Sequence, residues 1–431
     1  MSDTDRAQAT IVALSSGAPP AAIGIIRVSG PQAAAAVEIL AGKLPEARRA
    51  SLARLHGQSG NLLDEAVVLW FPGPETATGE DLAEFHCHGG RAVLAAVHEA
   101  VLAVPGVRPA EAGEFTRRSF ANGRIDLSEA EGLADLLSAE TELQRAAAIA
   151  NASGVVSAMV VNWRDAVLRL SAQVEAALDF SDEDDVDELP DGFTWNITQM
   201  QSQLIDWLER PRSEKLGEGF RVALAGPPNA GKSTLFNALV ESEAAITSPI
   251  AGTTRDVIER NVAIDGVPFS FVDTAGLRQA GEDDIEAIGI DRAHAELEKA
   301  DIVLWLGEEG SGPEGAWEIA TRKDGDNFVS KASARFELSG LTGEGVAELK
   351  SALVHNARTS LPKPGEGALN LRQHILLSQA SAALQACEAQ SDLLLIGEDL
   401  RVARGCFDRL IGRSTTEDML DALFGRFCIG K

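Results

Sequence analysis

The chain has 431 residues, of which 45% are hydrophobic, and its formal net charge is −27 at pH 7. This length predicts two or three domains with substantial cores, and we expect no membrane association because no apolar run is long enough to span a bilayer. The charge excludes broad electrostatic capture of nucleic acid, while four cysteines without paired spacing and no secretory signal favour a cytoplasmic protein.

The N-terminal region alternates short apolar strands with short helices and contains no phosphate-binding loop. We expect strands at Ile23 to Val28 and Ala66 to Trp70, with helices at Gln32 to Leu40 and Val93 to Val101. Residues 1–121 are therefore predicted to form an α+β domain.

His86-Cys87-His88 invites a metal interpretation. Strand alternation places the two histidines on one face and Cys87 on the other, and no second cluster with zinc-like spacing accompanies them. We therefore expect these side chains to line or support a binding pocket.

Apolar residues at helical spacing dominate two later stretches, Leu127 to Asp179 and Leu371 to Phe427. The first stretch carries Leu133, Leu136, Leu137, Val160, Trp163, Val167, Leu170 and Val174 at this spacing. We predict a helical domain formed by residues 122–216 and 359–431, with residues 217–358 inserted between its two parts. The acidic run of residues 181–188 is interpreted as a solvated loop.

A complete GxxxxGK[ST] motif follows the apolar run Arg221 to Ala225 and begins at Gly226. The glycines let backbone N–H groups face a β-phosphate, Lys232 reaches the phosphates, and Ser233 is placed to bind Mg²⁺. A chance match is disfavoured because the motif has both its strand and its amphipathic helix. The predicted nucleotide contacts in this loop are Asn229, Ala230, Gly231, Lys232, Ser233 and Thr234.

Two further segments have the character of GTPase switches. The first, Ile250 to Asp256, contributes Thr253 and Thr254, with Thr254 as a Mg²⁺ ligand, and the second is Asp273-Thr-Ala-Gly276. Leu277 follows Gly276 and cannot orient the attacking water, so that role is expected to fall to an acidic residue between Glu282 and Glu286.

The guanine-recognition box departs from the usual Asn-Lys-x-Asp, since the best candidate is Thr321-Arg322-Lys323-Asp324. Asp324 can still accept hydrogen bonds from the guanine N1–H and exocyclic amine, so guanine selectivity is the expectation. Downstream, residues 337–345 have the position of the loop that closes over the base.

Taken together, these motifs resemble the MnmE (TrmE) family of tRNA-modifying GTPases. The resemblance covers essentially the whole chain. It includes residues 22–30, 70–74, 78–81, 88–90, 113–116, 122–127 and 251–256 as well as the final Phe427-Cys-Ile-Gly-Lys431. The implied fold is multidomain α/β, with an N-terminal α+β folate-binding domain, a central helical domain and an inserted Ras-like P-loop GTPase domain.

The resemblance implies a potassium-dependent GTPase domain that dimerises when GTP binds, the K⁺ ion acting as an arginine finger would. The matching K⁺ ligands are Asn229, Ser248, Ile250 and Thr253, and Ser248 and Thr253 also belong to the implied nucleotide site. Glu286 matches the catalytic glutamate and is preferred over Glu282.

The same resemblance implies binding of 5,10-methylene- or 5-formyl-tetrahydrofolate by the N-terminal domain. The matching residues are Arg27, Glu84, Arg124 and Lys431, although Lys is usual where this chain has Arg124. From the sequence pattern alone, Arg27 and Glu84 would be ordinary surface charges. Cys428 is implied to be required for tRNA modification.

Family members form homodimers and work with an FAD-dependent partner, MnmG (GidA), in a heterotetramer that modifies carbon 5 of the tRNA wobble uridine. For an acidic chain, tRNA affinity would come from that partner or from a local basic patch such as Arg117-Arg118 or Arg401 and Arg404. The alternative is a GTPase switch in RNA or ribosome maturation that performs no covalent chemistry. Folate binding would separate these two functions.

Overall fold

The computed structural model describes residues 9–179, 189–241, 243–246, 258–273, 295–326 and 328–431. Contacts divide the chain into two compact units, one formed by Met1–Ala134 with Ile411–Lys431 and the other by Asp135–Leu410. The division into four segments predicted from the sequence stays a prediction.

A six-stranded sheet forms the centre of the first unit, with strand order β3-β4-β5-β2-β1-β6. The strands are β1 (Thr10–Leu14), β2 (Ile23–Ser29), β3 (Ser51–His56), β4 (Leu62–Phe71), β5 (Leu82–His88) and β6 (Val107–Pro109). Helices α1 (Ala33–Ala41) and α2 (Arg91–Leu102) share a buried core with Phe85 and Cys87 of β5. The strands and helices predicted for this region are confirmed.

The C-terminal segment completes the first unit. Helices α3 (Glu114–Ala121) and α4 (Leu127–Ser138) bring Phe120 and Leu127 against Phe424 of α13 (Glu417–Phe424) and against Phe427. The Phe120 and Phe424 rings lie 6.1 Å apart. Burial of these aromatic rings therefore holds the C-terminal segment against α3 and α4.

The second unit contains a seven-stranded sheet of order β13-β12-β11-β7-β10-β9-β8. The strands are β7 (Phe220–Ala225), β8 (Ala244–Ala245), β9 (Ile258–Ile264), β10 (Val267–Asp273), β11 (Ile302–Trp305), β12 (Trp317–Ala320) and β13 (Phe336–Glu337). Strand β7 is central and runs parallel to both β10 and β11. Both faces of such a strand are covered, which explains the continuous apolar run of residues 222–225.

The remaining helices of the second unit cover this sheet or form a bundle. They are α5 (Glu142–Ala152), α6 (Val155–Asp179), α7 (Phe193–Leu208), α8 (Glu214–Glu218), α9 (Lys232–Val240), α10 (Val346–Ser360), α11 (Leu371–Ala389) and α12 (Leu393–Leu410). In α6, the predicted stripe from Val160 to Val174 is buried. Leu137, by contrast, is 47% exposed, one residue before the end of α4.

Two capped joints connect the bundle with the sheet. Asn151 at the end of α5 exchanges two hydrogen bonds with the backbone of Ala368, its Nδ2 donating at 2.9 Å and its Oδ1 accepting at 3.1 Å. Asn370 then begins α11 with a capping box that it shares with Gln373. In both joints, side chains supply hydrogen-bond partners to backbone groups that have none within a helix or a sheet.

The consecutive helices of Glu142–Asp179 meet the length and hydropathy of a membrane span, with a mean hydropathy of 1.3 over the most apolar stretch. Half of that stretch is buried inside the protein, and core helices of soluble proteins pass the same test. The finding is weak evidence for a membrane segment. By length and composition, however, this stretch could span a bilayer, which the sequence analysis did not expect.

Candidate nucleotide and folate sites

The phosphate loop connects β7 with α9. Gly226 (φ +146°) and Gly231 (φ +93°) adopt backbone conformations that favour glycine. A Cβ on Gly226 would lie 3.1 Å from the backbone nitrogen of Gly307, so a larger residue would also be crowded there. The loop leads into the N-terminus of a nine-residue helix, where backbone N–H groups and the helix dipole favour an anion.

Two side chains of the loop motif have defined partners. Lys232 is 5% exposed, and its Nζ donates to the carbonyl oxygens of Gly226 at 2.8 Å and Pro227 at 2.7 Å. Ser233 Oγ donates to Asp273 Oδ2 at 2.9 Å, and Asp273 ends the neighbouring parallel strand β10. A hydroxyl beside a carboxylate supplies the hard oxygen donors that suit Mg²⁺.

The guanine side of the site forms where β12 ends. Ala320 accepts from the Leu338 amide at 2.9 Å, and Leu338 accepts from the Lys323 amide at 3.2 Å, so the altered box and the closing loop are joined. Gly340 of the closing loop lies against α9, since a Cβ on it would be 3.0 Å from the Leu235 nitrogen. Asp324 is exposed. The box and the closing loop therefore adjoin the phosphate loop.

Six predicted site residues lie outside the described residues and stay predictions. They are Ser248, Ile250, Thr253, Thr254, Gly276 and Glu286. The segments that flank them, β9, β10 and the helical residues 295–299, are described.

In the first unit, Arg27 and Glu84 face each other on the adjacent strands β2 and β5. Arg27 Nη2 lies 2.8 Å from Glu84 Oε1, and His86 Nε2 lies 3.0 Å from Glu84 Oε2. Although burial acts to raise it, the hydrogen bond with His86 and the charge of Arg27 hold the pKa of Glu84 below its ordinary value. The cluster therefore holds a carboxylate that stays charged at neutral pH. His86, which was expected to line or support a binding pocket, is thus the third member of this cluster.

The last residues of the chain reach the segment that follows β1. Ser15 Oγ donates to the Gly430 carbonyl at 2.8 Å, and the Ser15 amide donates to the Ile25 carbonyl at 2.8 Å. Ile429 forms a β-bridge with Ala112, while Cys428 is exposed. The tail thus contacts Ser15, which is in turn bonded to β2 at Ile25.

Arg124 has a different setting. It is exposed, and its side chain lies near Gly79, where a Cβ would be 3.4 Å from Arg124 Cγ. Within the part of the first unit that the structure describes, no hydrogen bond or ion pair joins Arg124 to Arg27 or Glu84.

The His-Cys-His stretch behaves as the strand alternation predicts. Cys87 is 1% exposed in the core, and burial, with the charge of Asp64, raises the pKa of its thiol to about 12. His88 Nδ1 lies 2.7 Å from Asp64 Oδ1 on the opposite face. The described residues contain no group of His, Cys, Asp and Glu that could hold a metal ion.

Three of the four arginines considered as basic patches have acidic partners. Arg117 binds Glu417 and Asp421, Arg118 is buried against Glu80 and Glu114, and Arg401 binds Glu398. Arg117-Arg118 is therefore not an open basic surface, because acidic neighbours neutralise it.

A central parallel strand that ends in a GxxxxGKS loop, beside a parallel strand that ends in Asp, defines a P-loop nucleotide-binding protein of the GTPase class. Comparison with known families identifies the particular one. Residues 10–124 match the family described as the GTP-binding protein TrmE N-terminus, and residues 127–428 match the MnmE helical domain.

Named relatives agree with this match. The tRNA modification GTPase MnmE of Erythrobacter litoralis is 62% identical over 98% of this chain and 100% of its own length. The corresponding protein of Novosphingobium aromaticivorans is 60% identical over 98% of this chain and 99% of its own. The chain therefore belongs to the MnmE family of tRNA modification GTPases, as its motifs predicted. The expected multidomain α/β fold is confirmed, and GTP and Mg²⁺ follow from the family's GTPase activity.

Among solved structures, the G domain of the T. maritima FeoB iron transporter is 26% identical, covering 32% of this chain and 98% of that chain at a TM-score of 0.23. Aquifex aeolicus Era, bound to GDP and AlF4⁻, is 24% identical over 38% of this chain and 66% of its own, also at 0.23.

Proposed function

We propose that this chain is a potassium-dependent GTP hydrolase that modifies carbon 5 of the tRNA wobble uridine together with the FAD-dependent protein MnmG (GidA). The group added is of the aminomethyl type, and its carbon comes from 5,10-methylene- or 5-formyl-tetrahydrofolate. The working form is a homodimer within a heterotetramer in the cytoplasm.

The observation that carries this proposal is the position of the chain's last residues. Gly430 bonds to Ser15 beside the strand pair that holds Arg27, so Cys428 and Lys431 belong to the same unit as the Arg27–Glu84 pair. A GTPase switch without covalent chemistry would have no need of an exposed thiol in the unit that holds this charged cluster.

The folate proposal fits the chemistry of this cluster. The Glu84 carboxylate can accept from the N–H groups of a pterin, while Arg27 and Lys431 supply positive charge for the ligand's glutamate carboxylates. Arg124 would join from the Gly79 side. When bound, the folate supplies the one-carbon unit. The residues of this chain bind and orient it.

The GTPase proposal uses the phosphate loop. Lys232 would turn from the Gly226 and Pro227 carbonyls to the phosphates, and Ser233 with Thr254 would hold Mg²⁺. Asn229, Ser248, Ile250 and Thr253 would hold K⁺, whose charge would stabilise negative charge developing in the transition state. Glu286 would orient the attacking water.

The test is Cys428→Ser, measured for GTP turnover in KCl and in NaCl at equal ionic strength and for tRNA modification with MnmG. We expect K⁺-stimulated turnover to be unchanged and modification to be lost, because only the thiol is removed. Ile429→Val, a neighbouring exposed change that keeps the backbone bridge, is the control and should support normal modification.

Three results would contradict the proposal. Normal modification by Cys428→Ser would remove the thiol from the chemistry. Equal slow turnover in both salts, or no folate binding at millimolar ligand, would instead favour the GTPase switch.

A further inference from the structure

We propose that Arg221 is a positioning residue for GTP hydrolysis, which holds the first described residues after each of the two switch segments. It lies at the end of β7 opposite the phosphate loop, roughly 16 Å of extended strand before Gly226. Any effect on hydrolysis must therefore act through other residues. The inference rests on the GTPase activity that family membership establishes, and it depends on neither the folate nor the potassium proposal.

The guanidinium of Arg221 joins two elements that follow the switches in the chain. Arg221 Nη1 donates to Glu259 Oε1 at 3.3 Å, and Arg221 Nη2 donates to Glu296 Oε2. Glu259 is the second residue of β9 and comes three residues after Asp256, where the first switch segment ends. Glu296 belongs to the helical residues 295–299, which are the first described residues after the second switch. One cation therefore contacts the chain beyond both switches.

Strand β10, which lies between β7 and β9, is adapted to this contact. Its residue opposite Arg221 is Ser270, which is fully buried and is the polar residue within the apolar stretch from Val267 to Val272. Paired residues on neighbouring strands share one face of a sheet, so Arg221 crosses over Ser270 to reach Glu259. Ser270 Oγ also donates to Glu259 Oε1, at 2.8 Å. The small hydroxyl side chain thus leaves room for the guanidinium and holds its acceptor.

The backbone of Arg221 is itself held in place. Its amide donates to Asp301 Oδ2, and its carbonyl accepts from the Asp301 amide, both at 2.9 Å. Asp301 comes directly before β11, and its Oδ1 lies 3.3 Å from Lys215 Nζ of α8. The guanidinium therefore extends from a backbone that is bonded on both sides of its peptide unit.

Stability alone is a weak reason for this network. The side chains of Arg221, Glu259 and Glu296 are 21%, 29% and 15% exposed, so each charge loses most of its water. That desolvation offsets much of the attraction, and apolar side chains of similar volume would hold the sheet equally well. What the charges add is direction, because the planar guanidinium fixes two carboxylates in one geometry.

The charged state of the network persists at neutral pH. Although burial acts to raise it, the hydrogen bond with Arg221 and the charge of Arg221 hold the pKa of Glu296 below its ordinary value. Hydrolysis requires both switches to be placed around the γ-phosphate at the same time. A shared cation fixes the spacing of the two segments, whereas GDP is held mainly by the phosphate loop and the base box.

The experiment compares the kcat for GTP hydrolysis with the Kd for GDP, at saturating GTP and at fixed KCl and protein concentrations. Arg221→Gln and Glu296→Gln should each lower kcat by about ten- to a hundredfold, because a misplacement of about 1 Å can cost that much. The Kd for GDP should be unchanged, since the phosphate loop is untouched. The double variant should be no slower than the slower single variant, because both substitutions break one contact.

Conservative and control variants separate positioning from loss of folding. Arg221→Lys keeps the charge but not the planar fork, and it should recover part of the lost kcat. Arg164→Gln is the matched control, because Arg164 and Asp408 form a pair that is 18% and 22% exposed and joins α6 to α12. It should leave kcat and Kd unchanged. Urea unfolding gives the folded fraction by which each kcat is corrected. Glu259→Gln, at the most exposed acceptor, supplies the same test if Arg221→Gln does not fold.

Three outcomes would overturn the inference. An unchanged kcat in Arg221→Gln and Glu296→Gln would show that the switches do not need this contact. A loss of GDP affinity as large as the loss of kcat would show a general loosening of the nucleotide domain. Additive losses in the double variant would show that the two residues act separately.

Discussion

At the scale of single residues, the negative charge of Glu84 affects folding stability, and the direction of its pH dependence can be predicted. Its side chain is 14% exposed and is bound by Arg27 and His86. Because its folded pKa lies below the ordinary value of 4.5, the stability that it contributes is fully present above that value. This stability is lost as the pH falls through the folded pKa.

We therefore expect Glu84→Gln to lower the free energy of unfolding by about 2 kcal/mol at pH 7, since bonds to a buried charged group are lost. The difference from the wild type should shrink as the pH falls from 4.5 through the lower folded pKa of Glu84, because the carboxylate of the folded wild type is itself protonated only below that folded pKa. Urea unfolding at several pH values measures this. Glu65→Gln, whose pair with Arg54 is exposed, should change stability by less than about 0.5 kcal/mol. A difference that grows at acid pH would contradict the assignment.

At the scale of elements, Asn151 joins α5 to the segment before α11. Its side chain satisfies both the N–H and the C=O of Ala368, and the group is buried. Asn151→Ala should therefore destabilise the second unit by about 2 to 4 kcal/mol, because two buried backbone groups lose their partners. Thermal unfolding tests this, with the exposed Asn196→Ala of α7 as control. Equal stability of the two variants would mean that water replaces the amide.

Much of each element could be predicted from local pattern. The apolar run predicted β2, alternation predicted that Cys87 lies on the face opposite His86 and His88, and helical spacing predicted the buried face of α6. The order β5-β2-β1-β6 could not be predicted, because pairing between distant strands depends on contacts that no local period encodes. Leu137 shows a second limit of local pattern. Its spacing predicts a buried helical residue, but it lies near the end of its helix at the protein surface and is exposed.

The candidate site divides in the same way. The phosphate loop was predicted residue by residue, since its chemistry requires fixed spacing. The contacts of Arg221 with Glu259 and Glu296 were missed, because they join residues 38 and 75 positions apart. The proposal that Lys431 and Arg27 belong to one folate site depends on the family resemblance, because no local pattern joins them.

At the scale of the whole molecule, the ends of the chain stabilise each other. Phe427 is 5% exposed and packs with Phe424, whose ring centroid is 6.2 Å away. Phe427→Ala should destabilise the first unit by about 3 to 5 kcal/mol while leaving GTP turnover by the second unit unchanged. Calorimetry and a turnover assay measure the two effects. Cys428→Ser, at an exposed neighbour, should alter stability by less than about 0.5 kcal/mol.

The division of the chain also has a consequence for its synthesis. Residues up to Ala134 leave the ribosome first, but Phe424, Phe427 and Gly430 are made only after the whole of Asp135–Leu410. At usual rates of translation this interval lasts roughly a quarter of a minute to a minute. During this interval, the apolar side chains of Phe120 and Leu127 are not yet packed against Phe424 and Phe427. The nascent chain is therefore expected to hold a finished GTPase and an incomplete N-terminal unit, which is the stage at which a chaperone would be needed.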